Sequence, residues 1–133
     1  MSFPMPIVRV EDPVNRPQGI RREVIETTYR CLKRAFGVSD EELQARYEHY
    51  REEDFRAPGD KPEYLQVSIT VFKGRTLATK RKLYMELSNS LAELLAIAPS
   101  SVLILLDEHD AENWGMQGGV PASEIDFGYS VNV

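Results

Sequence analysis

The stretch that decides the fold is YLQVSITVFKGRTLATKRKLYMELSNSLAELLAIAPSSVLILLDE, residues 64–108. It opens with a β-branched, apolar run at 64–73, which predicts a strand. Thr76 is a candidate helix N-cap. Four leucines follow at helical spacing: Leu83, Leu87, Leu91 and Leu94. They predict a helix with one buried stripe that ends near Ala98, and the apolar residues 102–107 predict a second strand. The whole stretch is therefore a β-α-β unit.

An equivalent β-α-β unit is predicted earlier in the chain. Residues 6–11 predict a strand, and Asn15 is a candidate cap for a helix that ends at Gly37. Residues 43–50 predict the second strand of this half. When the chain is shifted by 59 positions, the two apolar helix stripes fall in register. The same shift aligns Arg16 with Arg75, which indicates an internal duplication.

The duplication sets the predicted organisation of a single domain, 1–133. The two repeats span about 6–50 and 64–109, and a polar connector with two prolines and a glycine spans about 51–63. A glycine-rich hairpin and tail occupy about 110–133. This is typical of an α+β fold with duplicated β-α-β units, in which a four-stranded sheet carries two helices on one face.

The strand sequences also predict an oligomer. The runs VSITVF and SVLILLDE have apolar residues in both alternations, which is typical of strands buried on both faces. Two helices cover only one face of a four-stranded sheet. A partner chain is therefore expected on the other face.

Composition excludes several classes of function. The net charge of −5 disfavours nucleic acids and anionic membranes as partners, and no apolar run is long enough to span a membrane. The first residues lack the pattern of a signal peptide, and the single cysteine, Cys31, fits a reducing compartment, so a cytoplasmic location is expected. His49 and His109 lack further ligands at metal-site spacing, so neither a metal nor another cofactor is predicted.

Three motifs resemble the tautomerase superfamily. They are GRT at 74–76, SVLILLDE at 101–108 and the NWG…GG hairpin at 113–119. The duplicated length is similar to that of the fused members, such as malonate semialdehyde decarboxylase. The resemblance covers about residues 6–125 and implies β-α-β units assembled as a homotrimer.

The resemblance also implies roles for particular residues. The family's catalyst is an N-terminal proline with an arginine ten residues further on, and here Pro6 stands ten residues before Arg16. Pro6 matches this role only if the chain starts there, because a proline nitrogen acylated by Met5 has no basicity. Arg75 and Arg16, at equivalent helix starts, are candidates to bind a substrate carboxylate.

Four further residues are candidates for the site or for a subunit contact. Arg9 alternates with apolar neighbours and is either a pocket arginine or an interface ion-pair partner. Trp114 is expected to form a pocket wall or a subunit contact. Glu41 or Glu42 is a candidate for an acidic catalytic partner.

Two functional hypotheses follow, and one structural alternative remains open. The first is a tautomerase-type enzyme, an isomerase or lyase acting on a small keto or enol carboxylic acid. The second is a non-catalytic trimer that binds small acids with its arginines but has no free amine. The third is a ferredoxin-like regulatory module, because the same order of strands and helices also describes that fold.

Overall fold

The computed structural model describes residues 6–126, so the end of the predicted tail, 127–133, lies outside the described residues. The elements of the two repeats follow in chain order: β1 Ile7–Asp12, α1 Gln18–Phe36, β2 Gln44–His49, β3 Leu65–Phe72, α2 Leu77–Leu95 and β4 Val102–His109. A small hairpin follows, formed by β5 Gly115–Met116 and β6 Val120–Pro121. No helix in this part of the chain is long and apolar enough to cross a membrane.

The four long strands form one mixed sheet in the order β2-β1-β3-β4. β1 is parallel to β2, β3 is parallel to β4, and the central pair β1 and β3 is antiparallel. The two helices have equal length and begin 59 positions apart. They pack against each other and share one hydrophobic core with the sheet. The predicted fold of duplicated β-α-β units is confirmed.

This topology rules out the ferredoxin-like alternative. In a split β-α-β arrangement, another strand lies between the two strands that a helix connects. Here β1 pairs directly with β2 from Ile7 and Gln44 to Asp12 and His49. The ferredoxin-like prediction was wrong because element order alone does not determine which strands are neighbours.

The two helices begin in different ways. In α2 the predicted N-cap is confirmed, since the Thr76 hydroxyl oxygen accepts a hydrogen bond from the Thr79 N–H at 3.2 Å. In α1 the predicted cap is wrong, because Pro17 occupies the N-cap position without a side-chain acceptor. The Asn15 side-chain oxygen instead accepts from Arg21 Nη2 at 2.6 Å.

The helices also end differently, although both close in the left-handed region. Gly37 follows α1 with φ of 72°, whereas Ala96 takes the equivalent place after α2 with φ of 55°. This turn ends α2 at Leu95, before the predicted Ala98. A side chain in this region is strained, since its Cβ crowds the following carbonyl.

We expect Ala96→Gly to raise the free energy of unfolding by about 0.5–1 kcal/mol. The substitution removes a left-handed strain of about 1–2 kcal/mol and loses part of that gain to the greater freedom of glycine in the unfolded chain. Ala98→Gly is the matched control, because Ala98 has an ordinary φ of −71° and should be mildly destabilised. Urea unfolding of both variants tests the difference; equal effects would refute it.

The sheet has one covered and one open face. On β3, Val67, Ile69 and Val71 are buried in the core beneath the helices. The opposite alternation of this strand is Ser68, Thr70 and Phe72, so the prediction that β3 is apolar on both faces was wrong in its middle. On β4 the open-face residues Leu103 and Leu105 are apolar, and they are 40% and 46% exposed in the single chain, so their predicted burial requires a partner chain.

Candidate functional site

The sheet register brings Pro6 and Arg75 to the same end of the molecule. Ile7 pairs with Thr70 in the antiparallel β1–β3 ladder, so the beginning of β1 lies where β3 ends. Pro6 immediately precedes β1 and is buried. Arg75 follows three residues after the end of β3 and precedes the cap of α2. This end of the sheet is the candidate site.

Arg75 is held in a defined position. Its residue is only 8% exposed, and its guanidinium carbon lies 4.7 Å from the centroid of the Phe36 ring, at the end of α1. Its Nη1 donates a hydrogen bond to the Phe72 carbonyl at 3.2 Å. The ring face and the carbonyl both stabilise a positive charge. The adjacent N-terminus of α2 adds a field that favours an anion here.

Trp114 lies at the same end, against the last residue of β3. Its ring meets the Phe72 ring edge to face, with centroids 4.8 Å apart and planes at 80°. It also approaches the His109 ring, with centroids 6.5 Å apart. The Trp114 Nε1–H is buried and has no hydrogen-bond acceptor within residues 6–126. Trp114 therefore packs in a small aromatic cluster with Phe72 and His109, beside the loop that contains Arg75.

An ion pair that was not predicted from the sequence lies at the same end of the sheet. Lys80 Nζ lies 2.7 Å from Glu108 Oε1, joining the first turn of α2 to the end of β4. The two side chains are only 21% and 25% exposed. The signal was present in the sequence, because Lys80 precedes Leu83 and Leu87 at helical spacing and so falls on the buried stripe.

Arg16 lies at the opposite end of the sheet, where β1 ends and α1 begins. Its Nε donates to Asp12 Oδ2 at 2.7 Å, and its side chain is 8% exposed. Asp12 is fully buried and also accepts hydrogen bonds from the Val14 N–H at 2.9 Å and from the Tyr47 hydroxyl. Burial, together with the hydrogen bond to Asp12, raises the pKa of Tyr47. Within one chain, Arg16 and Arg75 are therefore far apart.

The remaining candidate residues occupy different surroundings. Arg9 is exposed on the open face of the sheet, between Arg46 on β2 and Ser68 on β3. Glu41 and Glu42 lie in a short turn at Asp40–Glu42, just before β2. Since β2 begins beside Ile7, this turn is at the Pro6 end. Among residues 6–126, no three His, Cys, Asp or Glu side chains form a group that could hold a metal ion.

The arrangement suits the binding of a small anion. A buried arginine with a fixed guanidinium can hold a carboxylate through paired hydrogen bonds. The Phe36 ring supplies an apolar surface against the Arg75 guanidinium, and Pro6 and Trp114 lie at the same end of the sheet. Cys31, in contrast, is buried within the core, where burial raises the pKa of its thiol and disfavours the reactive thiolate.

Solved structures with the same fold cover most of the chain. Pt0534 inactivated by 2-oxo-3-pentynoate superposes with a TM-score of 0.81 at 19% identity, covering 88% of this chain and 96% of that chain. The FG41 malonate semialdehyde decarboxylase inhibited by 3-bromopropiolate gives 0.75 at 19%, covering 86% and 92%. The W0 fused 4-OT symmetric trimer gives 0.81 at 15%, covering 90% and 99%.

The sequence itself matches a family model described as tautomerase enzyme, over residues 45–117. This match covers more than half of the chain and includes β3, α2, β4 and the start of the hairpin. It therefore includes Arg75, the Lys80–Glu108 pair and Trp114. The chain belongs to the tautomerase superfamily.

Proposed function

We propose that the protein binds a small keto or enol carboxylic acid beside Arg75 and, when Pro6 carries a free amine, acts on it as an isomerase or lyase. The observation that carries this proposal is the β1–β3 register, which puts Pro6 and the buried Arg75 at one end of the sheet. Membership of the tautomerase superfamily supports the same reaction class.

The chemistry follows from a secondary amine in buried surroundings. Burial and the nearby guanidinium both disfavour the cationic form of a prolyl amine and lower its pKa. A neutral amine can then move a proton between carbon and oxygen of a keto or enol acid. A protonated amine can instead polarise a carbonyl for decarboxylation or hydration. In each case Arg75 holds the carboxylate and sets the orientation of the reacting carbons.

We expect Arg75→Ala to weaken phenylpyruvate binding by roughly 10- to 150-fold. The estimate is the loss of a charge-assisted hydrogen bond, about 1.5–3 kcal/mol. Arg81→Ala is the matched control, because Arg81 lies on the same helix but is exposed, and its affinity should not change. Calorimetric titration of both folded variants measures the difference. Equal affinity of the two variants and the unaltered protein would refute the assignment of Arg75.

A second candidate function is binding without catalysis. The sequence contains Met5 before Pro6, and a proline nitrogen in a peptide bond is neither a base nor a hydrogen-bond donor. In this case Arg75 still binds the acid, but no amine takes part in a reaction. Arg75→Ala has the same effect on binding in both candidates. Activity of a chain that begins at Pro6 separates them.

The proposed assembly is a homotrimer that covers the open face of the sheet. Support comes from the exposed Leu103 and Leu105 on that face and from related fused chains solved as trimers. Arg9 lies on the same face and is a candidate for a contact between subunits. Trp114 adjoins this face through Phe72, so Trp114→Ala should weaken the assembly as well.

We expect Leu105→Asp to shift the protein from trimer to monomer at micromolar concentration. A carboxylate without a partner is strongly disfavoured inside an apolar interface, so the dissociation constant should rise well over tenfold. Met85→Asp is the control, because Met85 is 61% exposed but lies on α2, away from the open face. Sedimentation velocity measures both. A trimeric Leu105→Asp variant would show that this face is not the interface.

A further inference from the structure

We infer that the Lys80–Glu108 ion pair positions Arg75, by fixing the first turn of α2 to the end of β4. Lys80 thereby acts on the ligand through Arg75 rather than by touching it. The inference rests on the proposed function for its effect on ligand affinity, whereas its effect on Arg75 itself is independent of any ligand.

The segment that carries Arg75 is tied to β4 at two points. Before Arg75, the Lys73 N–H donates to the His109 carbonyl at 2.9 Å. After Arg75, Lys80 Nζ lies 2.7 Å from Glu108 Oε1. Both acceptors are the last two residues of β4. Arg75 lies in the loop between these two contacts, which limit the movement of the loop and of the first turn of α2 relative to β4.

The first turn of α2 transmits this constraint toward Arg75. The Lys80 N–H donates to the Thr76 carbonyl at 3.1 Å, and the Thr76 side chain caps the helix. Thr76 directly follows Arg75. A rotation of this turn away from β4 would therefore move the Arg75 backbone and disturb its contact with the Phe36 ring.

Stability alone does not account for a charged pair at this place. Lys80 falls on the buried stripe of α2, where Leu83, Leu87 and Leu91 are fully buried. Removing two charges from water is unfavourable, and apolar residues of similar size in such positions are often as stabilising or more so. A directional contact at the start of the stripe fixes geometry, which an apolar contact specifies less well.

The Lys80–Glu108 pair is also close to Pro6 across the sheet. Glu108 pairs with Val71 in the parallel β3–β4 ladder. Continuing the β1–β3 register by one residue from Ile7 and Thr70 brings Pro6 opposite Val71. Two strand spacings, roughly 10 Å, therefore separate Glu108 from Pro6. Glu108 and Pro6 therefore lie in the same row of neighbouring residues across the strands, at the end of the sheet where Arg75 also lies.

The test begins with the ligand-free protein. The Nε–H signal of Arg75 in side-chain nuclear magnetic resonance spectra reports its packing on the Phe36 ring. Lys80→Met should move this signal toward the position of an unstructured arginine, and the exchanged pair Lys80→Glu with Glu108→Lys should restore it. Lys73→Met is the matched control, because the Lys73 side chain is 61% exposed and its ion pair with Asp110 is long, at 3.7 Å, and exposed. The backbone N–H of Lys73, which donates to the His109 carbonyl, is unchanged by this substitution.

The same variants are then titrated with phenylpyruvate. Lys80→Met should weaken binding about three- to tenfold, and this effect should vanish when Arg75→Ala is already present. An unchanged Arg75 signal in Lys80→Met overturns the inference, as does a loss of affinity that the exchanged pair fails to restore. If the unaltered protein does not bind phenylpyruvate but the Arg75 signal responds as expected, the proposed function fails while the positioning of Arg75 stands.

Discussion

A chain that begins at Pro6 is expected to ketonise a small enol acid about 10²- to 10⁴-fold faster than the chain that begins MSFPMP. That range is the usual contribution of a correctly placed general base. In the longer chain the Pro6 nitrogen is acylated by Met5 and has no lone pair available for a proton. The shorter chain lacks residues 1–5 and thereby has a free amine at the end of the sheet that also holds Arg75.

The measurement compares ketonisation of the enol of phenylpyruvate by the two chains. Mass spectrometry must first confirm removal of the initiator methionine. A chain that begins at Pro4 is the matched control, since it has the same kind of amine two residues upstream and should gain little. If the full chain and the chain that begins at Pro6 are equally inactive while both are folded trimers, the result supports binding without catalysis. A fast longer chain would show that another base is at work.

The fold was predictable because its information is local and repeated. The spacing of the α2 leucines, the Thr76 cap and the shift of 59 positions each concern residues near one another or in matching positions. Because these patterns agree, they predict the two β-α-β units without any knowledge of the strand order. The order itself depends on which strands pair, and no local pattern excluded the ferredoxin-like alternative.

The sites were less predictable because equivalent arginines have different surroundings. Arg16 and Arg75 match in the repeat, but Asp12 and Tyr47 match Val71 and Leu106. Tyr47 lies 35 residues from Asp12 in sequence, and they meet only when β2 pairs with β1. A carboxylate at a strand end is usually solvated, so its complete burial could not be predicted from position alone.

We expect Asp12→Ala to lower the free energy of unfolding by about 3–5 kcal/mol, the largest loss of stability among the changes considered. Breaking one partner of a buried ion pair leaves the other charge without compensation. Here Arg16 loses its carboxylate, and the Val14 N–H and Tyr47 hydroxyl lose their acceptor at the same time. Urea unfolding at pH 7 and one fixed protein concentration measures this loss.

Glu63→Ala is the matched control for that change. Glu63 Oε1 lies 3.8 Å from Arg16 Nη2, but its side chain is 45% exposed, so its loss should lower stability by less than about 1 kcal/mol. A second readout is the ultraviolet titration of tyrosine. Because Asp12 adds to the effect of burial in raising the pKa of Tyr47, Asp12→Ala should bring that pKa down toward its ordinary value.

The sign of the pH effect gives a further check on this cluster. A hydroxyl whose pKa is raised by folding contributes its full stability below the pKa of the unfolded chain, about 10, and loses that contribution as the pH rises from there toward the folded pKa. The unaltered protein should therefore lose stability above pH 10 more steeply than Tyr47→Phe. If Asp12→Ala costs no more than Glu63→Ala and leaves the Tyr47 titration unchanged, the Asp12 carboxylate does not stabilise this cluster, and the expected loss of stability is refuted.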